Sequence, residues 1–290
     1  MMKALLICLS SIAISQARVI EQSCDDGIVI NEIKYEKEIL KNNLDSPYQL
    51  VIDYDTNTLF FSYTETVGLD TFSSAYLNLK TNEFGVIPGI QGGFANAVDS
   101  KKHIVYLGGS DGIYSFDFDS KSATITTARG TNIWQLFYKD KLYYTTFPSE
   151  SVHIYENDDV VTTVPELNDL SVLFMAVDRN NNILFSNSIG LYKIEQGKVV
   201  FIGSYGVNGF TTDIDGNLYF STTDAVYRFD EESKNVHKLF EDKQIYGIAI
   251  EGDNNIIYSN KNSVIRLKKT DQICFREIYE KDNVLLNITD

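Results

Sequence analysis

The chain is 290 residues long, 43 % hydrophobic and 12 % aromatic, with a formal charge of −15 at pH 7. Its length suits one large domain or two small ones with room for a sizeable core, and so acidic a surface sets aside nucleic acid and anionic membranes as partners. An anionic small ligand stays compatible with it, because one Arg or Lys inside a pocket reverses the field locally.

In chain order, residues 1–17 read as a secretory signal: Lys3, an apolar run from Ala4 to Ile14, then Ser15 and Ala17 before Arg18. The run is too short to cross a membrane and no later stretch approaches the roughly 18 residues a span needs. A soluble, exported single domain over residues 18–290 is expected. Cys8 departs with the signal, leaving Cys24 and Cys274 near opposite ends. In an oxidising compartment the two are expected to pair; the rival reading, a metal site, is poorly served by two distant thiols with no nearby His.

After a leftover strand pattern, "IVINEIKYEKEIL", one motif recurs six times. "QLVIDYDTNTLFFSYT" begins at Gln49, "NAVDSKKHIVYLGGSDGIYSFDF" at Asn96 and "QLFYKDKLYYTTFPSESVHIYE" at Gln135. "MAVDRNNNILFSNSIGLYKIE" begins at Met175, "FTTDIDGNLYFSTTDAVYRFD" at Phe210 and "IAIEGDNNIIYSNKNSVIRLK" at Ile248. Each is an apolar strand, a polar turn, a second strand, a short loop and a third strand. The position closing the first strand is Asp53, Asp99, Tyr138, Asp178, Asp213 and Glu251. The spacing between these positions averages about 40 residues, the period of a four-stranded propeller blade.

A more variable fourth strand fits between copies, as in "EFGVIPG", "ATITTARG" and "KVVFIGSYG". Tyr, Phe, Val, Ile and Thr crowd the strand positions, and Gly and Asn stand where hairpins need positive φ. The fold class is therefore all-β, a six-bladed β-propeller with four-stranded blades. A ring must bring its ends together, so the N-terminal strands and "CFREIYE" meet at one blade. Which of them is outermost stays open, and a Cys24–Cys274 bridge fits across that seam.

"DIDGNLYFSTTDAVYRFD" and "AVDRNNNILFSNSIGLYKIE" resemble the blade signature of the gluconolactonase-like, NHL-repeat and yellow/royal-jelly families, which names an architecture rather than a function. Over its full length, with its signal, cysteine pair and six repeats, the chain is similar to the insect ommochrome-binding proteins of moth haemolymph. That resemblance implies a secreted carrier of ommochromes, phenoxazinone pigments such as ommatin D and xanthommatin. It assigns no binding residue.

The acidic turns read as hairpin chemistry: "DIDGN" lacks the twelve-residue spacing, terminal Glu and flanking helices of an EF-hand. A metal-dependent lactonase needs carboxylate ligands at the starts of the innermost strands. Those starts offer Asn96 and Asn208 and otherwise apolar or aromatic residues, so neither a metal nor an enzyme is expected, and no cofactor. His103, His153 and His237 show no ligand spacing. The same starts suit a flat conjugated ligand instead. Tyr48, Phe94, Asn208 and Tyr246 stand five residues ahead of the aligned positions, with Trp134, Phe174 and Phe210 close by, Phe72 in the longest loop to cover them, and Arg129 to meet a carboxylate or sulfate. A lactonase-like hydrolase and a protein-recognition propeller are the alternatives, and a monomer is expected. Asn287 heads a glycosylation sequon, Asn287–Ile288–Thr289.

Overall fold

The computed structural model describes Cys24 and residues 27–65, 71–156 and 161–274. The expected signal segment and Asn287 lie outside the described residues. The chain builds six antiparallel sheets arranged as blades around a channel. The innermost strands are Asp45–Asp53, Ala95–Asp99, Ile133–Lys139, Phe174–Val177, Gly209–Thr212 and Gly247–Ile250, one per blade. Blades 1 to 5 have four strands each in simple meander order. The helical content among the described residues is a single short turn, Pro165–Leu167. The six-bladed propeller expected from the period is the fold.

The packing explains why these strands read as apolar on both parities. Successive side chains leave a strand on opposite faces, and in a propeller each face meets a different neighbouring blade. In "LFF" of blade 1, Leu59 and Phe61 pack with Ala249, Ile257 and Val264 of blade 6. Phe60 between them points the other way, into Val105, Leu107 and Phe116 of blade 2. All three are fully buried. The core is thus a set of clusters in the seams, with burial of each such side chain contributing about 1.5–3 kcal/mol.

Blade 6 closes the ring. Its sheet has five strands, Gly247–Ile250, Ile256–Ser259, Ser263–Ile273, then Ile33–Asn42 and Ile28–Ile30. The N-terminal segment therefore supplies the two outer strands, which answers the question the sequence left open. Register is set by pairs such as Lys37 with Leu267 and Ile39 with Ile265. Cys24 and Cys274, 250 residues apart, are disulfide-bonded with Cα atoms 5.9 Å apart, and the Cys274 N–H donates to the Glu32 carbonyl at 2.7 Å. Beside the seam, Asp242 accepts from the Tyr258 hydroxyl at 2.5 Å and the Lys37 ammonium at 2.7 Å. Burial works against the Asp242 charge, yet Lys37 and Tyr258 hold its carboxyl below the usual range. Burial, with Asp242 alongside, pushes the Tyr258 phenol up.

Two outcomes are expected. Replacing both Cys24 and Cys274 by Ser should remove about 2–4 kcal/mol of stability, read as a lower Tm with the β signal in circular dichroism intact. A depressed carboxyl pKa contributes stability above its unfolded value that is lost as pH falls through the folded one. The advantage of wild type over Asp242→Asn should therefore be full above about pH 5 and disappear in the acid range below about pH 4, read by denaturant melts across that window.

Candidate ligand-binding channel

In blades 1, 2, 4 and 5 the innermost strand ends in a hairpin whose closing Asp organises the turn. Asp178 Oδ1 accepts the N–H groups of Asn180 and Asn182, both at 2.8 Å, and Oδ2 accepts from Asn182 Nδ2 at 2.8 Å. In "DIDGN", Asp213 Oδ1 takes the N–H groups of Asp215 and Asn217, while Oδ2 takes Asn217 Nδ2 at 2.7 Å and the Tyr219 hydroxyl at 3.0 Å. Gly216 supplies the left-handed residue at φ 79°. The carboxylate oxygens are occupied by donors from the turn and the neighbouring strand, which is hairpin chemistry. Asp99 Oδ1 likewise takes the N–H groups of Lys101 and Lys102, and its carboxylate stands beside Tyr138 of blade 3. Burial and that carboxylate together push the Tyr138 phenol up.

At the other mouth, where the strands start, aromatic rings from five blades touch in a row. Tyr246 lies 5.0 Å from Tyr48, Tyr48 5.5 Å from Phe94, and Phe94 4.6 Å from Trp134, centroid to centroid. Trp134 continues to Phe174 at 6.3 Å, and Phe147, which sequence reasoning missed, adds a further ring at 5.6 Å. Phe72 lies over the row, 4.5 Å from Phe94. The structure thus brings together Tyr48, Phe94, Trp134, Phe174 and Tyr246, as expected from their spacing.

Other residues singled out from sequence go elsewhere. Arg129 is exposed, and its guanidinium donates to the Ile125 carbonyl on the outer strand of its own blade at 3.2 Å, not to the aromatic row. Asn208 is spent on a seam: Nδ2 donates to the Ile245 carbonyl of blade 6 at 2.7 Å. Asn96 and Phe210 stand in the wall of a cavity of about 340 Å³ that runs from mid-channel to the turn end, at the small end of the range for ligand sites. Its apolar wall residues include Leu50, Ile52, Leu136, Phe210 and Ile250. Its rim carries Lys101, Lys139 and Arg179, each beside a carboxylate: Lys101 Nζ is 2.7 Å and Lys139 Nζ 3.7 Å from Asp140, and Arg179 Nε is 3.4 Å from Glu231. Burial pushes the Glu231 carboxyl up, with Asp178 adding to it and Arg179 opposing. Tyr54, raised to about 12 by burial and then by Asp213 and Glu251, donates to the Ile250 carbonyl at 2.9 Å.

Packing of blade 2 on blade 1 also assembles a group that no spacing announced. His103 Nδ1 in the blade 2 turn is 3.2 Å from Asp53 Oδ1 and 3.7 Å from Asp55 Oδ2 of blade 1. The three offer atoms within metal-binding distance of one another. The carboxylates come from another blade, so no spacing around His103 shows the group.

Fold and channel define a six-bladed propeller with a cavity among its inner strands lined by both apolar and polar side chains. A gluconolactonase from Xanthomonas campestris superposes with a TM-score of 0.66 at 14 % identity, covering 84 % of this chain and 95 % of that one. A streptogramin B lyase superposes at 0.58 and 11 % identity, covering 81 % and 98 %. Likeness at such identity is likeness of fold alone. No protein-family model matches the chain. The ommochrome-binding protein of Manduca sexta, however, is 37 % identical over 279 residues, spanning 93 % of this chain and 100 % of that protein. The chain belongs to the ommochrome-binding protein family.

The polar seams around the channel are testable. Gln135, which is buried, donates from Nε2 to the Met175 carbonyl at 2.7 Å and accepts the Met175 N–H at 2.9 Å, tying blade 3 to blade 4. Gln135→Ala leaves both backbone groups buried and unpaired and should cost about 2–4 kcal/mol, measured by chemical denaturation.

Proposed function

We propose that the protein is a secreted carrier that holds an ommochrome, a pigment of the ommatin D or xanthommatin class, in its channel and releases it unchanged. The observation that carries this reading is the full-length similarity to a protein named for ommochrome binding. The cavity supports it physically. A conjugated ring system gains most of its affinity from burial against apolar walls, with polar groups fixing orientation, and the cavity wall supplies both, from Leu50, Ile52, Phe210 and Ile250 to Gln49, Asn96 and Lys101. The His103, Asp53 and Asp55 group lies outside the cavity wall. Loss of residues 1–17 and the Cys24–Cys274 bond suit an extracellular fluid such as haemolymph.

The chain has a single tryptophan, and Trp134 stands in the aromatic row where the inner strands start. A visible-absorbing pigment in the cavity should quench its emission saturably, co-migrate with the protein on size exclusion, and be recovered with an unchanged spectrum. Emission that stays constant under excess pigment, with no co-migrating colour, overturns the carrier reading. Recovery of altered pigment overturns the claim of no conversion.

A further inference from the structure

The innermost strand of blade 1 is irregular where it enters the cavity. Its register against the next strand slips twice, between Asp45 and Tyr48 and between Tyr48 and Val51. Ser46 and Gln49 take left-handed φ values of 49° and 51°, a conformation that costs a non-glycine residue energy and collects at binding sites. The bulge holds its place through the seam: the Ser46 N–H donates to the Lys261 carbonyl at 2.7 Å, and Ser259 Oγ donates to the Pro47 carbonyl at 2.6 Å.

What the bulge presents is a polar side chain in the cavity wall. Gln49 is 8 % exposed and Asn96 1 % exposed, and both line the cavity. Asn96 Nδ2 donates to the Gln49 carbonyl at 3.0 Å, which orients its amide and leaves Oδ1 as a bare acceptor. Neither Asn96 Oδ1 nor Gln49 Nε2 has a hydrogen-bond partner. The contrast with Gln135 is direct: it occupies the repeat position of Asn96 and has both ends of its amide satisfied by Met175. A buried amide left half-satisfied is costly in the free protein. A donor and an acceptor without partners, on two residues that line the same cavity, are complementary to one edge of a ligand.

We infer that Gln49 and Asn96 form the recognition edge of the channel, taking a planar ligand through a carbonyl oxygen that accepts from Gln49 Nε2 and an adjacent N–H or O–H that donates to Asn96 Oδ1. The inference rests on the carrier reading and narrows it to conjugated ligands with a carbonyl next to a donor. It makes Gln49 a specificity residue and gives the blade 1 bulge its purpose.

The experiment is a titration of the full chain with an ommochrome, followed by Trp134 emission and visible absorbance, for wild type, Gln49→Met and Gln49→Glu, with Tm recorded for each. Methionine keeps the length and removes a donor that has no partner, so Tm should hold or rise while pigment affinity falls about tenfold. Glutamate replaces the donor by an acceptor and should weaken binding further. Affinity within about twofold of wild type for Gln49→Met, or a Tm that falls with unchanged affinity for folded Gln49→Glu, overturns the contact while leaving the carrier reading standing. A wild-type protein that binds no pigment overturns both.

Discussion

Everything in this molecule depends on the ring closing between blade 6 and blade 1. Blades share no continuous sheet; they are held by side chains meeting across seams, and a seam missing anywhere leaves two apolar faces open. Closure is made by pairing Ile33–Asn42 with Ser263–Ile273, so the first and last strands of the chain lie in one sheet. The disulfide covers the same join. Around it sit contacts that span most of the sequence, including Leu44 N–H to the Asn262 carbonyl and Arg266 to Glu38. Such long-range contacts form only after the intervening chain has been ordered, which makes closure the entropically demanding step of folding.

The channel is a product of that closure, and its two mouths differ in chemistry because the two ends of a strand differ. Strand starts follow loops that cross between blades, and there Tyr48, Phe94, Trp134, Phe174 and Tyr246 fill the narrow end against each other. Strand ends run into tight hairpins, where Asp residues bind their own turns and Lys and Arg side chains stand on the rim. The cavity wall brings the Gln49 and Asn96 amides, apolar side chains and the charged groups at the turns to one space.

The blades were legible because each repeats one strand and turn pattern; the acidic position near every fortieth residue set their number, and the Asn and Gly at the turns marked their edges. The aromatic row was legible too, since five side chains at one repeat depth must meet in a ring. Contacts between blades were less visible. His103 reaches Asp53 across a seam, and a single strand's pattern says nothing about which turn lies next door. Arg129 is near Trp134 in sequence but belongs to an outer strand's end, so its guanidinium bonds its own blade. The polar Gln in the otherwise apolar "YQLVID" was the available sign of a special position, and no residue there betrays a bulge.

That bulge links stability to function in a way the repeat alone does not. On other inner strands polar groups are spent on turns and seams: Gln135 on Met175, Asn208 on Ile245, Asp213 on Asn217. Blade 1, which must accept the last blade on one side and blade 2 on the other, is also where the backbone departs from the ladder. The distortion is held by Ser259 and Lys261 from blade 6, so the geometry that presents Gln49 to the cavity exists only when the ring is shut. Closure and recognition thereby share the same few residues, and loosening the seam should blunt the binding edge before it unfolds the blades.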